Sequence, residues 1–408
     1  MRVKLGDIAS IKHGFAFSGE SICEEDNGIV LVTPGNFSIG GGFQEEKCKF
    51  YTGEIPRDYV LSPGDLIVTM TDLSKGIDTL GYGALVPFTG RIYLHNQRIG
   101  LVEIKDSSVD KGYLARVLQT REYQKTIAGT SSGSTVHHTS PSKIESYSFE
   151  LPDLKTQRRI AGVLSAYDEL IENSCKQIKL LEEAAQRLYK EWFVDLRFPG
   201  HETTPIVDGF PEGWHMGSLL DLVDVVRGCS YSSDEIVSGG KTLINLGNLT
   251  PFGGFRFGYA KPYSGKSRDD QTVVKGDVIM GLTEQATGLA GYAALLPTIP
   301  NNSVISADLL KLVPHPGVPA VFVYAVLRFG RLSELISPLA NGTKIKHLRP
   351  ESLPRATVLL PPKRLASDYA RLVAPFYDQI STCNQRMAAA REARDRLLPK
   401  LMSGEIEV

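Results

Sequence analysis

From Ile160 to Trp192, apolar or small residues recur in steps of four and three without a slip: Ile160, Leu164, Tyr167, Ile171, Ser174, Ile178, Leu181, Ala185, Leu188, Trp192. That is the period of a helix lying along another helix. Phe198-Pro199-Gly200 follows and ends it. At 1.5 Å per residue the helix would be about 50 Å long, more than one globular domain needs. Its stripe is too apolar to stand in water alone. A partner lies in the same chain: Tyr369, Val373, Phe376, Ile380, Cys383, Met387, Ala390, Arg394, Leu397 and Leu401 repeat the steps 209 residues later. Pro375 in the second turn and Arg394 at a seam position are expected to mark where this second helix bends or loosens.

The echo extends beyond the helices. Leu5-Gly6-Asp7-Ile8 answers Leu219-Leu220-Asp221-Leu222, Gly35-Asn36 answers Gly247-Asn248, and Gly64-Asp65-Leu66-Ile67 answers Gly276-Asp277-Val278-Ile279. Gly133, Val136, His138 and Pro141 answer Gly342, Ile345, His347 and Pro350. A repeat of this length sets the fold. Short apolar runs opened by Pro-Gly-Asp or Lys-Gly-Asp turns read as strands, and 113–128 and 320–336 have helical spacing. The expected class is α+β. Residues 1–150 form a first globular domain and 151–198 a first spacer helix. Residues 199–359 form a Pro/Gly-rich linker with a second, similar domain, and 360–408 a second helix and tail. The two helices are expected to pair antiparallel as a coiled coil, giving an internal pseudo-two-fold.

Length and composition exclude several classes. With 408 residues the chain can bury two or three full cores. No apolar run approaches the roughly 18 residues of a membrane span. The stretch MRVKLGDIAS lacks the apolar core of a secretory signal, and the five cysteines form no CxxC pair. A disulfide framework or zinc site is therefore not expected, and the cytoplasm is. A net charge of −1 argues against a polyanion binder over its whole surface but leaves room for local basic patches.

Catalytic patterns are missing. Gly239-Gly240-Lys241-Thr242 has Glu235 where a phosphate loop needs glycine. No Asn-Pro-Pro-aromatic tetrapeptide of the amino-methylating kind is present, nor a recognisable nucleophile–His grouping. Carboxylates are plentiful but unpatterned, so a stand-alone DNA-modifying or DNA-cleaving enzyme stays open as the alternative. Binding chemistry is better represented. The stretches 129–142 (GTSSGSTVHHTSPS) and 340–350 (ANGTKIKHLRP) combine glycines, hydroxyls and basic groups, which suit phosphate oxygens. From the first come Ser134, Thr135, His137 and His138. From the second come Thr343, Lys344, Lys346, His347 and Arg349. Further polar candidates for DNA contact are Lys12, Asn36, Thr69, Thr71 and Arg98 in the first half. In the second half they are Arg227, Asn248, Arg256, Lys266, Arg268 and Thr283. Two divergent heads on a rigid helix pair would read a split site on duplex DNA.

At this point the chain resembles the specificity subunits of type I restriction–modification systems. The resemblance is carried by the repeat and by Leu151-Pro152 with Gln157-Arg158-Arg159-Ile160-Ala161 at the head of the first helix, and Lys190-Glu191-Trp192-Phe193-Val194-Asp195 at that helix's end is similar to the family's central conserved region. Leu397-Leu398-Pro399-Lys400-Leu401-Met402-Ser403-Gly404-Glu405-Ile406 resembles its distal one, and Pro211-Glu212-Gly213-Trp214 its opening of the second recognition domain. The second helix departs, starting Lys363-Arg364-Leu365 without the glutamine. The resemblance implies two target-recognition domains, each choosing half of a bipartite DNA site. It implies two methyltransferase subunits, which carry S-adenosylmethionine, and translocating restriction subunits as partners, with no cofactor, metal or catalysis in this chain. Glu172, Lys176, Lys179, Glu183, Arg187 and Lys190 would then face the methyltransferases.

Overall fold

The computed structural model describes residues 1–74, 76–133, 135–342 and 345–408. Ser134, Thr343 and Lys344 therefore lie outside the described residues. The chain divides into two compact units, 1–171 with 388–408, and 172–387. Each unit holds one α+β domain, and the two domains share a topology. In the first, Ala9–His13, Ile99–Ile104, Leu66–Thr69 and Gly83–Leu85 form an antiparallel sheet in that order. In the second, Val223–Arg227, Leu309–Pro314, Val278–Gly281 and Ala293–Leu295 do the same. A second sheet in each domain includes one parallel pair: Ile29–Val32 with Ile92–His95, and Lys241–Ile244 with Ser303–Ile305.

The central strand shows why its sequence is uniformly apolar. Leu66 and Val68 enter one core with Leu114 and Leu118 of the helix side, whereas Ile67 enters another with Val30, Tyr93 and Ile99 between the sheets. Alternate residues face opposite layers, and both layers are dry. The second unit repeats this. Val278 and Met280 pack with Phe322 and Val326, and Ile279 with Ile244 and Ile305. The helical spacing resolves into two helices per domain, Lys111–Val117 and Arg121–Gly129, then Ala320–Arg328 and Leu332–Ile336.

The long helices span Leu154–Tyr189 and Lys363–Met402. Each begins several residues before its seam. The described seam side chains are all buried or half-buried, among them Ile160, Leu164, Tyr167, Ile171, Ile178, Leu181, Leu188 and Trp192, and Val373, Phe376, Ile380, Met387, Leu397 and Leu401. The pairing is antiparallel. In the second unit Cys175 meets Met387, Cys383 meets Gln177, and Tyr369 meets Ala185, so one number rises as the other falls. In the first unit Leu401 shares a core with Ile160 and Leu164. The first helix widens into a π turn over Lys190–Val194, and the adjacent Trp192 and Phe193 are both buried there. Among the described residues no helix is long and apolar enough to cross a membrane.

The two positions expected to mark a bend or a loosening differ in what surrounds them. The second helix is unbroken at Pro375, which lies exposed, so the missing N–H falls on the solvent side. Arg394 does not loosen the seam. Its Nη1 lies 2.8 Å from Asp168, whose other oxygen takes Arg116 Nη2 at 2.6 Å. One carboxylate thus ties the recognition domain's helix and both long helices together within the first unit. Asp168→Ala would leave two partly buried guanidinium groups without their shared partner. We expect a loss of about 2 kcal/mol, discounted from a fully buried pair because Asp168 is about a third exposed. Arg394→Leu should cost less, since Arg116 still neutralises Asp168 and leucine suits the seam. Urea midpoints of the two variants check the order.

The helix starts differ as their sequences do. Gln157 is fully buried, accepting from Asp110 N and donating to Ser108 O and Pro152 O. In the second copy Ala366 takes that place, and Lys363 Nζ donates to Pro316 O instead.

Candidate nucleic-acid interface

The recurrent polar loops close in the same way in both domains. In the first, Ser132 and His138 exchange backbone hydrogen bonds of 3.0 and 2.9 Å, and in the second Asn341 and His347 exchange bonds of 3.0 and 2.8 Å. Gly133 and Gly342 make the turn at positive φ. A Cβ on either would come within 2.0 or 2.1 Å of the carbonyl oxygen of Val136 or Ile345. Each loop then pairs with the chain leaving the central strand: His137–His138 with Thr71–Asp72, and Lys346–His347 with Thr283–Glu284.

A third segment joins each clip. Met70 N donates to Arg98 O and Met70 O accepts from Thr139 N. Leu282 N donates to Asp308 O and Leu282 O accepts from Leu348 N. The fold thus gathers Arg98, Thr71 and His138 in one domain, and Asp308, Thr283 and His347 at the same place in the other. The threonine hydroxyls meet the imidazole Nδ1 atoms at 3.2 Å (Thr71–His138) and 3.3 Å (Thr283–His347).

The residue after each threonine organises the adjoining loop. Asp72 is buried and accepts from Ser74 N (2.6 Å), Thr79 N (2.5 Å), Thr79 Oγ1 (2.8 Å) and Leu80 N (3.0 Å). Burial alone would raise its carboxyl, but the donors from Ser74 and Thr79 outweigh that and hold it below the usual carboxylate range. Glu284 accepts from Gly288 N (2.8 Å), Leu289 N (3.2 Å) and Ala290 N (2.6 Å). Each domain therefore presents two loops on a rigid two-sheet body, one zipped to a strand and one wrapped on a carboxylate.

The predicted contact residues divide. His138, Arg98, Thr135, Lys346, His347 and Arg349 are exposed on or beside these loops. His137 is half-buried, with Nδ1 enclosed and unbonded. Five residues are corrected to scaffold, because a buried group already bonded inside the protein has nothing to offer a base. Asn36 is fully buried, accepting from Thr33 N and donating to Gln44 O, and Asn248 does the same with Asn245 N and Arg256 O. Thr69 bonds Thr71 O, and Thr71 and Thr283 hold their histidines from below the surface. The remaining cations lie elsewhere. Lys12 bonds Asp58 O and sits over Tyr59, and Arg227 bonds Ala307 O. Arg256 bonds Gly247 O and stacks on Tyr259, Arg268 is paired with Asp270, and the Lys266 side chain is exposed. Of the charged positions on the first long helix, Lys176 pairs with Glu172 and Arg187 with Glu183 along the helix itself.

Asp72, Glu284 and Asp308 were missed. The recurring threonine–acid dipeptide after the central strand was a readable signal for the first two. Nothing in the sequence gives Asp308 the place in the second domain that Arg98 has in the first, because that equivalence depends on the backbone bonds to Leu282 and Met70.

Two like domains with a clipped loop in each, both continued by a long helix, define a tandem-repeat protein. Residues 1–183 match the model of the type I restriction modification DNA specificity domain. The chain is 26% identical over 308 residues to the type I restriction enzyme MjaIX specificity subunit of Methanocaldococcus jannaschii, covering 72% of this chain and 68% of that one. It is 22% identical over 349 residues to the MjaVIII specificity subunit of the same organism, covering 84% and 81%. Its fold is similar to the crystal structure of the type I restriction–modification system S subunit from M. genitalium, with a TM-score of 0.61 at 14% identity over 98% of this chain and 96% of that one. The first part of the chain thus matches that family's domain model, and most of its length is similar to specificity subunits of type I restriction enzymes.

Proposed function

We propose that the chain is the sequence-reading subunit of a type I restriction–modification complex. Each domain reads one half of a bipartite DNA site, and the helix pair sets the unread gap. Two methyltransferase subunits, which would bring S-adenosylmethionine, dock on the helices, and restriction subunits join them. The observation that carries this reading is the clip, held by the same backbone bonds in both domains, whose third segment brings Arg98 to it in one and Asp308 in the other. A common frame with different side chains set into it is what two unlike half-sites require. No reaction is assigned to this chain.

Lys346 and Arg349 are exposed cations on the second loop and suit phosphate contacts. Replacing both with alanine should weaken DNA binding at every sequence and flatten the plot of log K against log salt by about 2, roughly one for each phosphate that is no longer neutralised. Fluorescence anisotropy of labelled duplex with the chain and its methyltransferase measures it. An unchanged slope would remove that loop from the interface. Methylation or cleavage by the purified chain alone would favour the stand-alone enzyme.

A further inference from the structure

The second domain fixes the chemistry of one exposed histidine. Thr283 Oγ1 has a single hydrogen, and it lies 2.8 Å from Asp308 Oδ1. A carboxylate only accepts, so that hydrogen is committed to Asp308. The same oxygen lies 3.3 Å from His347 Nδ1 and can meet it only as an acceptor. Nδ1 of the neutral ring must then carry the proton, and Nε2 keeps a lone pair. The backbone reinforces the placement, since His347 is held at both its N–H and its C=O by Asn341. The ring itself is on an exposed residue.

We infer that His347 is a specificity-determining residue of the second domain, held by Asp308 and Thr283 as the Nδ1–H tautomer so that its Nε2 accepts a hydrogen bond from an exocyclic amino group of a base. In the major groove such donors are adenine N6 and cytosine N4, whereas guanine and thymine present acceptors there. The first domain lacks this lock. Its counterpart of Asp308 is Arg98, so the Thr71 hydroxyl can donate to His138 Nδ1 or accept from it. The two domains thus carry the same histidine in different electronic settings. The inference rests on the reading of the chain as a DNA-recognition subunit.

Two measurements on the full chain test it. In [15N]histidine-labelled protein at mildly alkaline pH, with the resonance assigned through His347→Gln, Nε2 of His347 should show the shift of an unprotonated ring nitrogen. Asp308→Ala should convert this to a mixture of tautomers. In cells carrying the chain with its methyltransferase partner and a randomised plasmid library, methylated sites read by sequencing should give a bipartite motif. His347→Ala should then lower discrimination at one position of one half about tenfold, leaving the other half intact as evidence of folding. Thr283→Val should relax the same position. An unprotonated Nδ1 in the wild-type chain would overturn the inference. So would a bipartite wild-type motif unchanged by His347→Ala. Absence of any bipartite motif in the wild type would overturn the recognition reading itself, and the inference with it.

Discussion

Tyr369→Ala is expected to destabilise the second unit by about 4 kcal/mol, within the range for large aromatic truncations in a core. Tyr369 is fully buried at the junction of the helix pair and the domain. Its ring meets Tyr189, Trp192, Phe193 and Phe322 with centroids between 5.2 and 6.4 Å, mostly edge to face. That geometry adds to simple burial. Its hydroxyl donates to Ala185 O at 3.1 Å. Tyr369→Phe removes only that bond and should cost about 1 kcal/mol. The chain's two tryptophans, Trp192 and Trp214, both lie in this cluster, so fluorescence during urea unfolding reports on it directly. Equal losses for the two variants would contradict the packing argument. Burial also raises the Tyr369 phenol above its ordinary value. A raised folded pKa stabilises the fold below the unfolded value, about pH 10, and that stability is lost as pH climbs beyond it. Tyr369→Phe should therefore soften the alkaline fall in stability.

Asp72→Ala should abolish the preference for one half of the methylated site while sparing the other, and Glu284→Ala should do the reverse. Removing the Asp72 carboxylate strands three backbone N–H groups and the Thr79 hydroxyl, which together define the loop from Asp72 to Leu80. Each buried donor left unpaired costs about 1–3 kcal/mol, more than a surface loop can recover without reopening to water. Asp72→Asn should not rescue it, because an amide nitrogen would face donors where the carboxylate oxygens now accept. Glu284 holds its shorter loop with three N–H bonds. The measurement is the methylated motif of each variant in complex with its methyltransferase. A variant that blurred both halves, or neither, would contradict the assignment of one loop set to each half.

The helices and the duplication were legible because both are written as periods. A stripe at steps of three and four, and the same dipeptides some 210 residues apart, survive without knowledge of any contact. The sites were less legible, for a reason particular to a duplicated chain. Gly35-Asn36 and Gly247-Asn248 recur because each asparagine closes a turn from inside the core. Both copies must fold alike, so recurrence marks scaffold as readily as function. Arg98 and Asp308 carry the opposite lesson: they occupy one place in the frame and differ, so the two domains surround the same threonine and histidine with different chemistry. Arg394 misled because its partner, Asp168, lies off the seam and is invisible to a search for apolar steps.

The most direct test of the central claim is the set of DNA sites methylated in cells that express this chain with a methyltransferase partner. Two fixed blocks of bases separated by a constant stretch of unspecified sequence are predicted, one block for each domain. A single contiguous block, or methylation without sequence preference, would contradict it.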